Sequence, residues 1–382
     1  MYDLVVVGVG PAGARVARRF AAAGHDVLAL ERGEVGRPLA CSGHVSRDIW
    51  EYTPDGARER LLQNEVYGAR FHVGGPDSSA HRFYKRDPVS NVIDRVGLDR
   101  TLADAARAAG AEVREGHTVT GVEERDDRVR MTVSVDGRGA AEGQASETRA
   151  GGETTREQHT VEARLVAGCD GPTSRVRRAV DLPDPGELLH GVLGFDDDPD
   201  AGDFVDVHLT PPRFFAWRIP RGDAGVEYGL AAPPDADVSE RFEALVDDYG
   251  ADVSRRCSGP IPVGPSARTV SDRTFLVGDA AGQTKPFTGG GILYSMTAAD
   301  AAAETVDPAD PSTLGDYERA WRDELGREIR LGAAIRRAYS LPEPIQRAGL
   351  SALSGEIGVH MDRPTTLFSR EHARRMLGFG RN

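Results

Sequence analysis

Short apolar runs alternate with segments that carry apolar residues at helical spacing through the first half of the chain. Leu4-Val-Val-Val7 reads as a parallel strand buried on both faces, Ala14 to Ala23 as the helix after it, and Asp26-Val-Leu-Ala-Leu30 as the next strand. Asn91 to Asp94 leads into a helix ending at Ala109, and Glu112-Val113, Val119 to Glu123 and Arg128 to Val135 read as further strands. Leu165-Val-Ala-Gly-Cys169 is a strand that enters a turn at Asp170-Gly171 and a helix near Ser174. Later segments change period. Val205-Asp-Val-His-Leu209 and Val226-Glu-Tyr-Gly-Leu230 alternate every second residue, which suggests an antiparallel sheet with one buried face, and from Asp316 onward the pattern is helical. The expected organisation is a discontinuous α/β domain over 1–67, 91–182 and 265–304, an inserted antiparallel-sheet domain over 68–90 and 183–264, and a helical region over 305–382. Residues 136–160 hold almost no large apolar group and are expected to form a disordered insertion without functional weight.

The junctions between these elements carry the chemistry. Gly8-Val-Gly10-Pro11-Ala12-Gly13 follows a strand and opens a helix. Gly8 allows the tight turn, Gly10 lets a pyrophosphate approach the backbone, and Gly13 lets helix and strand pack closely, with the phosphates at the positive helix end. Glu31, followed by Arg32, ends the next strand, where a carboxylate accepts the ribose hydroxyls of an adenosine. At this point NAD and FAD are equally open. Phe275-Leu-Val-Gly278-Asp279-Ala-Ala-Gly282 decides between them, because a strand ending in Gly-Asp before a glycine-rich helix start sets a carboxylate on a ribityl hydroxyl, and NAD has no ribityl chain. Gly289-Gly290-Gly291-Ile292 then directs backbone N–H groups toward the pyrimidine edge of a flavin.

Asp170-Gly171 with Ser174 and Arg177, taken with the glycine motif and Gly278-Asp279, resembles the flavoprotein fold shared by aromatic hydroxylases and geranylgeranyl reductases, over roughly residues 1 to 300. The fold class this implies is an FAD-binding Rossmann-like domain with the inserted sheet as substrate domain. Within it, Pro38-Leu-Ala-Cys41-Ser-Gly43 is similar to the Pro-x-x-Cys-x-Gly segment of the prenyl reductases, and Phe215-Ala-Trp217-Arg-Ile-Pro220-Arg221 resembles their Tyr-x-Trp-x-Phe-Pro lipid-pocket signature, with Phe for Tyr and Ile for Phe. The resemblance implies saturation of geranylgeranyl chains by reduced FAD on archaeal lipid precursors. Phe215, Trp217, Pro220 and Phe287 are the expected pocket walls. An isolated alkene accepts hydride poorly, so a proton donor is required; Cys41 is the first candidate, with His44 and Tyr228 behind it, although Cys41 also fits a pocket-shaping role. Arg95 is a candidate to reach the cofactor and also reads as a surface charge at a strand end. The backbone near Val119 is placed to meet the adenine, and Asp170 belongs to the cofactor motif.

Composition sharpens this picture. Lys85 and Lys285 are the only lysines among 47 basic residues, against 60 acidic ones and a formal charge of −13. An Asp-rich, Arg-for-Lys surface suits a salt-crowded cytosol, where screening is nearly complete, and points to a halophilic archaeon, with an acidic protein of a high-GC bacterium as the alternative. No basic stripe with interleaved aromatics exists to neutralise phosphates, which excludes nucleic acid. Three cysteines without paired spacing offer neither a disulfide scaffold nor a metal clip. No apolar run spans a bilayer, and the N-terminus is already a core strand rather than a signal peptide, so a cytoplasmic location is expected. Residues 319 to 382 reverse the charge, with twelve Arg against seven acids. An end such as Leu367-Phe368 with Arg370, Arg374, Arg375, Met376, Leu377 and Phe379 either rests on anionic headgroups or packs on its own domain. No second nucleotide fingerprint is present, so a separate NADPH domain is not expected, and NADPH docked over the flavin face or a ferredoxin is left as the external reductant. A flavin monooxygenase acting on an aromatic or polyketide-like substrate, and an electron carrier or prenyl-binding module without turnover, are the competing functions.

Overall fold

The computed structural model describes residues 1–37, 41–135, 157–356, 360 and 362–368. Its helices are α1 Pro11–Ala22, α2 Ala57–Leu61, α3 Arg95–Ala108, α4 Arg175–Ala179, α5 Val238–Tyr249, α6 Ile292–Thr305, α7 Leu314–Arg337 and α8 Glu343–Leu353.

The apolar runs of the N-terminal half meet in one sheet. Tyr2–Val7 lies at its centre, parallel to Val27–Leu30 on one side and to the second half of Glu157–Gly168 on the other; Glu112–Arg114 and Thr274–Leu276 extend the parallel part. Leu4, Val5 and Val6 are fully buried because helices cover one face and a second apolar layer covers the other. His117–Glu124 and Val129–Val135 form an antiparallel hairpin that continues into the first half of Glu157–Gly168. Residues 157–160 are therefore strand, contrary to the expected disordered insertion: Thr132 pairs with Thr160 and Val135 with Glu157, so the hairpin partner supplies the backbone bonds that these polar side chains do not call for. Residues 136–156 lie outside the described residues.

A second seven-stranded sheet runs in the order Arg255–Val263, Glu187–Asp196, Val226–Ala232, Ala216–Pro220, Phe204–His208, Gly68–His72, Ala80–Tyr84. It is antiparallel apart from Phe204–His208 against Gly68–His72, which run parallel across the two sequence blocks that build the sheet. One face carries Val192, Tyr228 and Leu230 under α5. The opposite face carries Leu189, Val207, Phe214, Phe215, Ile219 and Ala231. A three-stranded sheet, His44–Ser46, Ser90–Ile93 and Leu62–Val66, was not anticipated and joins the two large ones.

α7 closes the first core with Leu314, Tyr317, Trp321, Leu325 and Ile329, an apolar stripe at helical spacing. Tyr317 donates to the Leu276 carbonyl at 2.6 Å and Trp321 Nε1 to Thr269 Oγ1 at 3.1 Å. Both buried polar tips are thus satisfied. The proposed Arg-rich amphipathic end lies outside the described residues from 369 onward.

Candidate FAD site and its aromatic wall

The turn from Tyr2–Val7 into α1 is built around two close approaches. Gly8 has φ +93°, and a Cβ there would run into the Cys169 carbonyl; a Cβ on Gly13 would overlap the Gly8 carbonyl oxygen. Gly10 is different: among the described residues nothing lies within 4 Å of the place its Cβ would occupy, which leaves room for a ligand against the chain there. Pro11 fits the first helical position, where its missing N–H costs nothing, and Ala12 and Gly13 are buried behind it. Glu31 is drawn into this turn by Val9 N at 2.8 Å and Gly33 N at 3.3 Å, while Arg32 beside it points to solvent. Burial raises the Glu31 carboxyl, and the two backbone donors oppose that. Val119 sits with its side chain in the second core layer, and the chain just before it bonds the Glu31 and Gly33 carbonyls through His117 and Gly116.

The second end of the site, almost 270 residues on, is brought to the first. Gly278, φ +73°, leaves room for Ala12 and Ser295, each about one atom's contact from where its Cβ would be. Arg15 of α1 meets Asp300 of α6 in a two-pronged ion pair, 2.8 and 2.9 Å, which fixes the helices that carry the two ends. Burial pushes the Asp279 carboxyl up to about 6, and the Arg95 guanidinium opposes the rise. Gly291 caps α6 at Ile292, and the Asp279 carboxylate lies against that glycine. Gln283, fully buried, was missed in the sequence: its Oε1 accepts Gly278 N at 2.7 Å and its amide donates to Tyr317. A lone Gln in a loop carries no periodic signal, so only the fold shows it.

Arg95 opens α3 and is 7% exposed, held by Asp99 at 2.5 and 2.9 Å, with its Nε buried and without a hydrogen-bond partner among the described residues. The Cys41 thiol lies beside this guanidinium. Gly43, φ +75°, lets the Cys41 segment press onto the Ile93 carbonyl. Pro38 to Ala40 of that motif lie outside the described residues. His44 Nε2 is 2.7 Å from Ser90 Oγ, and burial, aided by the Lys285 and Arg221 charges, drives its pKa down to about 4, so the ring is neutral at pH 7. Tyr228 does not join the group. It packs on Tyr249 under α5, on the sheet face opposite Trp217, because side chains alternate along a strand. The Asp170 oxygens accept Ser174 Oγ, Arg175 N and Val176 N, so its carboxylate holds the start of α4. Arg177 ties the same helix to the Ala280 carbonyl at 2.9 Å, next to Asp279.

Over the glycine-rich loop stands an aromatic wall. Phe214 and Phe215 stack at 4.4 Å, and Trp217 and Tyr339 meet Phe215 edge-on at 5.6 and 5.9 Å. Phe214 and Ile261 border Gly289, and Tyr339 donates to the Phe287 carbonyl at 2.8 Å, which joins the wall to the loop. Pro220 ends the Trp217 strand, its carbonyl held by Asn64. Lys285, buried beside Gly290, pairs with Asp362 at 2.7 Å.

The open space at Gly10, the pinned carboxylate at Glu31, the Asp279 carboxylate and the Arg95 Nε, unpartnered among the described residues, suit a flavin dinucleotide. Residues 1–307 match the family described as FAD binding domain. A digeranylgeranylglycerophospholipid reductase of Methanothrix thermoacetophila is 33% identical over 359 residues, covering 86% of this chain and 84% of that protein. The chain belongs to this reductase family of FAD-binding proteins. Its relative of the same description in Methanosarcina acetivorans is 28% identical, with 89% and 85% covered. In fold, the flavoprotein is similar to a geranylgeranyl bacteriochlorophyll reductase-like protein of Thermoplasma acidophilum, TM-score 0.80 at 21% identity over 99% of this chain and 98% of that one. It is also similar to the p-nitrophenol 4-monooxygenase of Pseudomonas putida, TM-score 0.68 at 19% identity, with 98% and 96% covered. Among the described residues no helix is long and apolar enough to cross a membrane.

Proposed function

We propose that this protein is an FAD-dependent oxidoreductase that reduces carbon–carbon double bonds of geranylgeranyl chains on archaeal membrane lipid precursors. The observation that carries the reading is the aromatic face Phe214, Phe215 and Trp217 set against the Gly289 loop of an FAD-binding domain. FAD, when bound and reduced, supplies a hydride. The chain's own residues do the rest. Glu31, Gly10 and Asp279 hold the dinucleotide, the aromatic wall excludes water and lies along an apolar chain, and a side chain near Arg95 provides a proton.

Of the three donor candidates, His44 is neutral at pH 7 and Tyr228 faces away. Cys41 remains, beside Arg95 and next to the segment that meets the wall. Cys41→Ala is expected to retain FAD at normal stoichiometry and to lose about a hundredfold in turnover, the size of a general-acid contribution; equal turnover in the two proteins would remove Cys41 from the chemistry.

The test of the reading is spectroscopic. Holoprotein reduced anaerobically with dithionite should regain its oxidised flavin absorption when a digeranylgeranyl lipid is added, in the absence of oxygen. A flavin that stays reduced until oxygen enters supports the monooxygenase instead. NADPH and ferredoxin, compared as electron sources in that assay, identify the external reductant.

A halophilic host adds a further expectation. With a net charge of −13 and salt below about 0.1 M, the Debye length grows to about 10 Å and carboxylate repulsion spreads over the surface. Dilution should then cost the protein its fold or its cofactor, followed by circular dichroism and flavin fluorescence; full low-salt stability would contradict the inference.

A further inference from the structure

Strand Val226–Ala232 holds one residue that its apolar alternation does not account for. Val226, Tyr228, Leu230 and Ala232 face α5, so Glu227 faces the aromatic wall, with 0% exposure. Its Oε1 accepts Trp217 Nε1 at 2.9 Å and its Oε2 accepts Arg221 Nη1 at 2.9 Å. The Arg221 guanidinium, 5% exposed, also donates to the Ser42 carbonyl at 2.5 Å, to Gln63 Oε1 at 2.6 Å and to the Ile93 carbonyl at 3.4 Å. One planar group thus bonds four acceptors on four stretches of chain, two of which flank Cys41 and Arg95.

Stability alone is a poor reason for such a group. Taking a carboxylate out of water costs several kcal/mol, and a well-packed apolar pair in its place is often neutral or better. Burial raises the Glu227 carboxyl against the pull of Arg221. What an ion pair supplies and an apolar pair does not is direction. The indole of Trp217 is fixed on three sides: by the Glu227 carboxylate at its N–H, by Phe215 edge-on, and by Gly229, where any side chain would overlap the ring.

We propose that Glu227 and Arg221 are positioning residues that lock the Trp217 indole in register with the Cys41–Arg95 segment, and so set where a double bond of the prenyl chain is presented. The placement rests on the reductase reading of the site; the lock itself does not. Neither residue is asked to touch the reacting atoms. The sequence offers only an acid in an apolar strand, and the pairing register makes it a clamp.

The experiment uses holoprotein labelled with 5-fluorotryptophan. The chain has three tryptophans, and Trp217→Phe assigns the resonance of Trp217. Arg221→Lys keeps the charge opposite Glu227 but has no planar fork to span the acceptors; Glu227→Gln keeps an acceptor for the indole and removes the charge. Both should shift and broaden the Trp217 fluorine line while the other two hold and FAD content stays at wild-type level. In turnover, Arg221→Lys and Trp217→Phe should each lower kcat about tenfold with KM little changed, and the double variant should fall no further than the worse single one. If Glu227→Gln does not fold, Arg221→Lys carries the test. A Trp217 line that stays in place in folded Arg221→Lys overturns the clamp, as do losses that multiply in the double variant. A wild type without turnover sinks the reductase reading, while the fluorine lines still decide the clamp.

Discussion

Asp279→Ala is expected to weaken FAD binding by about ten- to hundredfold, the equivalent of about 1.5–3 kcal/mol for hydrogen bonds to a charged group. The carboxylate sits where the Thr274–Leu276 strand has just ended, against the first turn of α6 and within the field of Arg95. Its position is held from behind by Gln283 at Gly278 N and by Arg177 at the Ala280 carbonyl, so the truncation removes the acceptor without collapsing its setting. The effect should carry a pH signature. Burial raises this carboxyl to about 6, above its unfolded value, so as pH rises from about 4 to 6 the folded apoprotein holds the proton longer than the unfolded chain and loses stability from this group. Hydroxyl donors bond the ionised form more strongly than the protonated one. FAD affinity should therefore fall as pH drops below about 6 in the wild type and lose that dependence in Asp279→Asn, measured by titrating apoprotein and following flavin fluorescence. A wild-type affinity that is flat between pH 5 and 7 would show that the carboxylate does not meet the ligand.

Gly13→Ala should have the larger effect on the fold. A single methyl group there would overlap the Gly8 carbonyl and press on the Cys169 side chain, so α1 must move away from the parallel strand it packs on. Overpacking of a tight site costs about 1–3 kcal/mol and sometimes more. Here the same movement also opens the turn that holds Glu31 through Val9 N. The expected outcome is a lowered melting temperature together with loss of bound FAD, whereas Gly10→Ala, with open space around its Cβ, should melt like the wild type and lose only affinity. Equal melting of Gly13→Ala and wild type would contradict the close packing described for α1.

What was legible in the chain follows from how locally each feature is encoded. The strand-turn-helix at Gly8 to Gly13, the Glu31 strand end and Gly278-Asp279 are each read within a dozen residues, and their meeting in space follows from their shared ligand. The period-two stretches at Val205 and Val226 announced the second sheet for the same reason. Pairing partners are not local, and the chain carries no signal for them. The parallel match of Phe204–His208 with Gly68–His72 joins segments more than 130 residues apart. A shift of one residue in a pleated strand changes the face, and the chain alone does not show that Tyr228 lies under α5, away from Trp217. For Asp170 the motif shows that a carboxylate is present but not which donors claim it; Ser174, Arg175 and Val176 do. Gln283, and the partners that Arg221 bonds, became visible only when those groups were brought together.

The most direct measurement is the mass of the lipid. Holoprotein reduced with dithionite in molar salt, under strict exclusion of oxygen, is given a digeranylgeranyl lipid, and the extracted product is weighed by mass spectrometry. Gains of two hydrogens for each bond reduced are expected, in step with flavin reoxidation. Lipid recovered at its starting mass while the flavin is fully reduced would contradict it.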